Sequence, residues 1–384
     1  MVNKNSESRA QSSLLEIAET HPILRICAKI WFFILNLCQT GLSYKNMLQI
    51  TKGLVFLGVI LTIVSSVLGC AGDVKYETLE GFTQGTTYRI TYSNDVPEIG
   101  VGDMVEDVLK KVDFSMSGYN PESTLSKVNR GEDIVVEQIF IDVFNRAKEM
   151  YGITGGYFDV SAAPLFDIWG FGFTDKSSVT QDLIDSVRQY SGMDKVDIAD
   201  GRVIKSDPGV KLNFNAIAQG YTSDLIAMAF DSVGIKNYMI EVGGEIFCKG
   251  VNRSKNMWSI GIDLPEEGNF IQGAEFAGII KLSGRGLATS GNYRKFYEEN
   301  GQKFSHTIDP LTGYPARHSL LSATVVAGDA MTADAYGTYL MIIGLDRAIE
   351  VVEATQGVDA YLIYWEDDEY KIYKSAGIEV LESR

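Results

Sequence analysis

Leu54 to Leu68 (LVFLGVILTIVSSVL) is a fifteen-residue apolar run, preceded by Lys45 and Lys52 and closed by Val67-Leu68-Gly69-Cys70. A basic flank, a short apolar centre and small residues ahead of a cysteine form the pattern of a lipoprotein signal peptide cut before an acylated cysteine. A permanent transmembrane helix needs about 20 apolar residues, so an export signal accounts for the run better than an anchor. Everything that folds must then lie after it. Met47 stands where such a signal starts, so residues 1–46 read as an upstream extension from a misplaced start, 47–69 as the signal peptide and 70–384 as the folded domain. The extension holds a second apolar stretch, Ile30 to Leu37, to which no role is assigned.

Charge and cysteine usage then exclude several classes. The 384 residues carry 34 Lys and Arg against 50 Asp and Glu, a net charge of -16. Removal of residues 1–69 takes more basic than acidic groups and deepens that acidity. Nucleic-acid backbones are bound by clustered Lys and Arg, so a nucleic-acid partner is excluded. An anionic ligand would need a metal, backbone N–H groups or a few placed cations. Of the four cysteines, Cys27 and Cys38 leave with the signal and Cys70 is acylated. Only Cys248 remains, which excludes an internal disulfide and a cysteine-rich metal or redox centre. In the apolar Glu245-Ile-Phe-Cys-Lys249 it reads as a strand residue of the core.

The pattern along the domain mixes strands with amphipathic helices, an α+β arrangement. Thr86–Tyr92 alternates like a half-buried strand, while Val101–Val112 has apolar residues at helical spacing. Further helices are expected at 140–150, 181–191, 219–233, 330–343 and 346–355, and a hairpin at 360–364 and 370–373. Neither internal repeats nor low-complexity tracts interrupt the chain. One continuous unit of roughly 310 residues follows the lipid anchor, with room for two lobes.

Four segments carry chemistry. His306-Thr-Ile-Asp-Pro-Leu-Thr-Gly-Tyr-Pro315 places an imidazole beside a turn in a chain with only three histidines, and a neutral imidazole titrates in the range useful to a general base; the alternative is a histidine that stabilises the turn. His318 reads as structural. Asp334 and Thr338, four apart, lie on one face of a helix and are hard oxygen ligands suited to Mg²⁺, although Asp334 could instead be a helix-start charge. Lys211–Gly220 reads as a strand running into a tight turn before a helix, where the Ala216 carbonyl could reach a metal and Asn213 and Gln219 a nucleotide, or where an ordinary connection is simply satisfied. Gly155–Gly170 interleaves glycines and aromatics around Asp159, and could wall a flat ring or fill a core.

Together these segments resemble the ApbE family of FAD:protein FMN transferases, which are bacterial lipoproteins and periplasmic enzymes. The match runs from Phe82-Thr-Gln-Gly-Thr-Thr-Tyr88 through Met116-Ser-Gly-Tyr-Asn-Pro-Glu-Ser-Thr-Leu-Ser126 to the carboxyl terminus. Its most specific blocks are Leu287-Ala-Thr-Ser-Gly-Asn-Tyr293, the His306–Pro315 turn and Met331-Thr-Ala-Asp-Ala-Tyr-Gly-Thr338. The resemblance implies mainly antiparallel sheets with flanking helices forming two lobes around a FAD cleft. It implies Mg²⁺ on the Ala216 carbonyl, Asp334 and Thr338, with His306 and Asp334 in catalytic roles. FAD contacts would come from Met116, Tyr157, Phe158, Asp159, Asn213, Gln219 and Ile308. The implied reaction moves FMN from FAD onto a Thr or Ser hydroxyl of a client protein and releases AMP.

The chain departs from the family pattern at three positions. An acidic residue is usual where Asn213 stands, a glycine at Asn215 and a lysine at Gln219, so a charge pair is replaced by neutral groups. Asp329-Ala-Met-Thr-Ala-Asp334 nearly matches the flavin-acceptor segment but breaks at Asp334, so the chain reads as modifier rather than modified protein. The alternatives are a FAD pyrophosphatase that passes FMN to water and a non-catalytic FAD-binding lipoprotein. Location follows from the signal: lipidated Cys70 would hold the domain on the periplasmic or outer side of a bacterial membrane, and Ala71 favours the outer membrane. Expected clients are exported subunits of sodium-pumping (Nqr) or Rnf-type complexes.

Overall fold

In a computed structural model the chain divides into two compact units, Met1–Asp73 and Val74–Arg384. The structure describes residues 74–382 apart from 95, 97–99, 174–177, 266–274, 293–295, 300–301 and 306, together with residues 49, 52 and 53. The signal peptide, its cleavage site and Cys70 lie outside the described residues, as does His306. Among the described residues no helix is long and apolar enough to cross a membrane.

The chain opens with β1 (Tyr76–Thr83) and β2 (Thr86–Ser93), then α1 (Val101–Met116), α2 (Thr124–Asn129), α3 (Gln138–Ile153), α4 (Ala163–Ile168) and α5 (Gln181–Arg188). A small hairpin, β3 (Val196–Ala199) and β4 (Arg202–Lys205), precedes α6 (Ala218–Ser232). There follow β5 (Tyr238–Val242), β6 (Glu245–Lys249), β7 (Trp258–Asp263), β8 (Phe276–Leu282), β9 (Arg285–Gly291), β10 (Phe296–Glu299), β11 (Gln302–Ser305) and β12 (Leu320–Ala327). Last come α7 (Ala330–Ile343), α8 (Leu345–Ala354), β13 (Asp359–Glu366), β14 (Glu369–Lys374) and β15 (Val380–Glu382). The expected α+β mixture is what forms: an eight-stranded sheet ordered β1-β2-β5-β6-β9-β12-β13-β14 and a three-stranded sheet β15-β8-β7. Neighbours in both sheets pair antiparallel.

Period-two alternation assigns each strand residue to a face, and both faces of the large sheet are buried along its central strands β9, β12 and β13. Leu287, Val326, Tyr361 and Ile363 point to one side and pack with Trp258, Ile260, Ile280 and Leu282 of the small sheet. Their sequence neighbours Ala288, Val325, Ala327, Ala360 and Leu362 point the other way and pack with Ala333, Tyr336 and Leu340 of α7. Small residues on that second face let α7 lie close to the sheet. A side chain on Gly286 would meet the Ala330 backbone nitrogen at 2.2 Å, and one on Gly337 would meet Ser290 Oγ at 2.9 Å.

α7 forms because Asp329, extended at φ -141°, caps it by accepting the Thr332 N–H, and Gly344, at φ +79°, ends it. Its sequence is apolar nearly all round, which suits a helix buried between a sheet and another helix. The helix expected at 181–191 stops at Arg188, and the others sit within a few residues of expectation. The segment Lys211–Gly220, read as a strand running into a tight turn before a helix, keeps the turn and the helix but not the strand, which is a correction. Only Lys211 bridges a neighbour, Ala162. The Asn129 side chain takes both the Leu212 N–H and the Leu212 carbonyl at 2.8 Å, and the Asn213 N–H goes to Val160 O. A side chain satisfies the backbone that a ladder would have satisfied.

Candidate active site

The segment 212–220 ends at the mouth of a cavity of about 790 Å³. Ala216, just before α6, and Gln219, in its first turn, line it together with Asp334 and Thr338, one turn apart on α7. Tyr157, Phe158 and Asp159 face them from the loop after α3, with Asn213 and Ile308 completing that side. Nine of the eleven residues singled out from the sequence therefore share one cavity. Met116 is not among its walls: as the last residue of α1 it is buried in the core with Leu125 and Phe140. His306 lies outside the described residues, but Thr307 and Ile308 beside it line the cavity and are buried.

Asp334 is 5% exposed. Its Oδ2 accepts the Gly220 N–H at 3.1 Å, and burial pushes its pKa from 3.8 up to about 7, with that hydrogen bond opposing. Among the described residues no side-chain cation pairs with it. Asp159, also buried, accepts the Ser161 N–H and hydroxyl, and burial raises it to about 6 against those bonds. Tyr157 is held from outside by Arg347, whose guanidinium lies 4.6 Å from the ring centre while Nη1 donates to the phenol oxygen at 2.8 Å. Asn213 Oδ1 accepts the Asn215 N–H, so its side chain closes its own turn. Gln219 lies against Gly243, at φ +69°, where a side chain would come within 2.9 Å of the amide.

The His306–Pro315 turn is built by its own polar groups. Asp309 Oδ1 accepts the Leu311 N–H, Asp309 Oδ2 accepts the Thr312 hydroxyl, and Ile308 bridges Pro315. Gly313, at φ +79°, offers its carbonyl to Trp169 Nε1 at 2.8 Å, which ties the turn to α4. His318, read as structural, bonds the Met341 carbonyl through Nε2 at 2.7 Å, away from the cavity.

Several wall residues had no role assigned from sequence. Gln84 and Gly85, the β1–β2 turn, reach the cavity with positive φ, and Gln84 Nε2 donates to Thr222 Oγ1 at 2.8 Å. Tyr119 and Glu245 also line it. Tyr119 lies within the Met116–Ser126 block, and the turn lies within the Phe82–Tyr88 block, so each block marked the site without showing which side chain faces inward.

Among the described residues no group of three His, Cys, Asp or Glu could hold a metal. A single carboxylate with a hydroxyl and a carbonyl still suits Mg²⁺, which keeps several waters and shares substrate phosphates. A buried, cation-free carboxylate on the wall of a roomy cavity fits that ion.

An antiparallel sheet whose central strands are buried on both faces, with oxygen donors and aromatics around a large cavity, describes an enzyme with a substrate cleft. The model of the ApbE family matches residues 84–362. The FAD:protein FMN transferase of Vibrio cholerae is 33% identical over 327 residues, which cover 82% of this chain and 96% of that protein. The enzyme of the same name from Haemophilus influenzae is 33% identical over 330 residues, covering 82% and 94%. Among solved structures, the flavin transferase ApbE from Vibrio cholerae aligns with a TM-score of 0.70 at 34% identity, over 79% of this chain and 98% of that one. The apo flavinyl transferase ApbE of Pseudomonas stutzeri aligns at 0.71 and 26% identity, over 80% and 96%. The chain belongs to the ApbE family and is a transferase.

Proposed function

We propose that the chain transfers the FMN half of FAD to a Ser or Thr hydroxyl of an exported protein and releases AMP. The observation that supports this most is the meeting, in one cavity, of Ala216 just before α6, Gln219 from α6, Asp334 and Thr338 from α7, and the Tyr157–Asp159 wall. In the reaction the acceptor oxygen forms a bond to the FMN phosphorus while the bond from that phosphorus to the AMP oxygen breaks. The hydroxyl proton passes to a base, for which the sequence offers His306.

Asp334, Thr338 and the Ala216 carbonyl would hold Mg²⁺, which when bound neutralises the pyrophosphate and the departing AMP. Asp334 contributes a carboxylate that Gly220 orients through its N–H. Tyr157, fixed by Arg347, supplies a ring face for the flat heteroaromatic part of FAD. Asn213 and Gln219 replace a charge pair by neutral hydrogen-bonding groups, which makes binding at these positions less sensitive to salt. Cys70, lipidated, would hold the domain at the outer face of a membrane, with the outer membrane favoured by Ala71, and clients of the sodium-pumping and Rnf type within reach.

The test uses protein from residue 71 onward with FAD, Mg²⁺ and a domain carrying the acceptor segment, followed by intact-mass spectrometry. Gain of one FMN, abolished by EDTA and by Asp334→Ala, is the expected result. FAD split to FMN and AMP without a gain would favour a pyrophosphatase. FAD left intact would favour a binding protein.

A further inference from the structure

Asp224 lies on α6, is 5% exposed, and is not a wall of the cavity. Its two oxygens accept the N–H groups of Ala330 and Met331 at 2.9 and 2.8 Å, across more than a hundred residues. These are two of the four donors that the first turn of any helix leaves without an internal partner. Asp329 accounts for a third, its side chain accepting the Thr332 N–H, while its carbonyl takes the Ala333 N–H in the first internal bond of the helix. Thus α7 carries a local cap and a remote one. The local cap holds the helix together; the remote one ties it to α6.

That tie acts where the two helices approach most closely. A side chain on Gly220 would come within 2.4 Å of the Ala330 carbonyl oxygen, and the Gly220 N–H reaches Asp334 one turn further along α7. Under α7, Gly286 of β9 leaves no room beside the Ala330 nitrogen. Ala216 stands just before α6, while Asp334 and Thr338 stand on α7. Their spacing therefore depends on how the helices are pinned, and Asp224 is the polar pin.

We infer that Asp224 is a positioning residue: by bonding the first two N–H groups of α7 it sets the separation of Asp334 and Thr338 from the Ala216 carbonyl for a shared divalent cation. This rests on the metal reading proposed above. An outer group that orients metal ligands commonly changes affinity by 10–100-fold when removed. An amide in place of the carboxylate accepts one N–H and confronts the other with its own donor.

The test titrates Mn²⁺, followed by electron paramagnetic resonance of the free ion, into the Val74–Arg384 unit as native protein, Asp224→Asn and Asp329→Ala, with thermal unfolding recorded for each. The expected result is a half-saturation raised about 10–100-fold in Asp224→Asn. Asp329→Ala should lose stability but stay within about twofold of native affinity, because it removes only the local cap. Native-like affinity in folded Asp224→Asn, or equal loss in both variants, would overturn the inference while leaving the metal reading intact. Failure of the native protein to bind Mn²⁺ would overturn both. Should Asp224→Asn not fold, Asp224→Glu, which keeps both acceptors on a longer arm, is titrated instead, and unchanged affinity there counts against the inference.

Discussion

The two faces of the large sheet are built from the same strands and do opposite things. Toward the three-stranded sheet they send Ile246, Cys248, Leu287, Val326 and Ile363, a closed apolar layer. Toward α7 they send Ala288, Ala323, Ala327 and Ala360, and the helices above bury Asp224 and Asp334. The first face gains stability from large side chains excluding water. The second gives up side-chain volume so that two helices can bring carboxylates close to a cavity, at a cost in desolvation. Stability and chemistry are divided between the two sides of one sheet.

The sharpest way to test that division is Asp334→Ala. On the proposed reading it loses activity on the order of a thousandfold, about 4 kcal/mol of transition-state stabilisation. Its melting temperature without metal should hold or rise at pH 7, because an unpaired buried carboxylate is removed; a large fall would mean that the acid is structural. Leu287→Ala, on the other face, should do the reverse. It costs about 3 kcal/mol of stability as a core truncation, with kcat per folded molecule unchanged in the FMN-transfer assay.

Gly220→Ala tests whether the helical face depends on close approach. The added methyl meets backbone at the Ala330 carbonyl, so a loss of about 2 kcal/mol is expected despite alanine's better helix propensity. Activity should fall with it, since Asp334 is displaced. Gly337→Ala meets the Ser290 hydroxyl at 2.9 Å, with the other Ser290 atoms at ordinary contact distance, and should be milder in both denaturation and turnover.

The last test is a pH dependence. The pKa of Asp334 is raised on folding from 3.8 to about 7, so the folded state holds a proton that the unfolded state has lost. Its contribution is fully present below about pH 4 and is lost as pH rises through about 7. Relative to native protein, Asp334→Asn should therefore gain stability across that window. Mg²⁺ should raise the native melting temperature more at pH 8 than at pH 5. Parallel curves for the two proteins would assign the charged site elsewhere.

Legibility in the sequence followed range. The helix at Ala330–Ile343 was readable to the residue, because its apolar run, the Asp329 cap and the closing Gly344 are all local. The 360–373 hairpin was legible from two apolar runs joined by a polar turn, and it pairs as β13 and β14. The strand expected to open the Lys211–Gly220 segment failed because the decisive partner, the Asn129 side chain, lies more than eighty residues away. Asp224 gave no distinct signal either. Following Thr222 and Ser223, it looks like any surface acid until α7 is seen above it.

The sequence by itself determined the α+β composition, the helix carrying Asp334 and Thr338, and the blocks whose order marks the family, since these depend on neighbours within a few residues. Tertiary structure alone decided that the start of α6 and the middle of α7 share one cavity, that Met116 is core rather than wall, and that Asp224 joins the two helices. Hydrogen bonds and steric contacts act over about 3 Å in space, and no spacing along the chain reports which distant groups come that close.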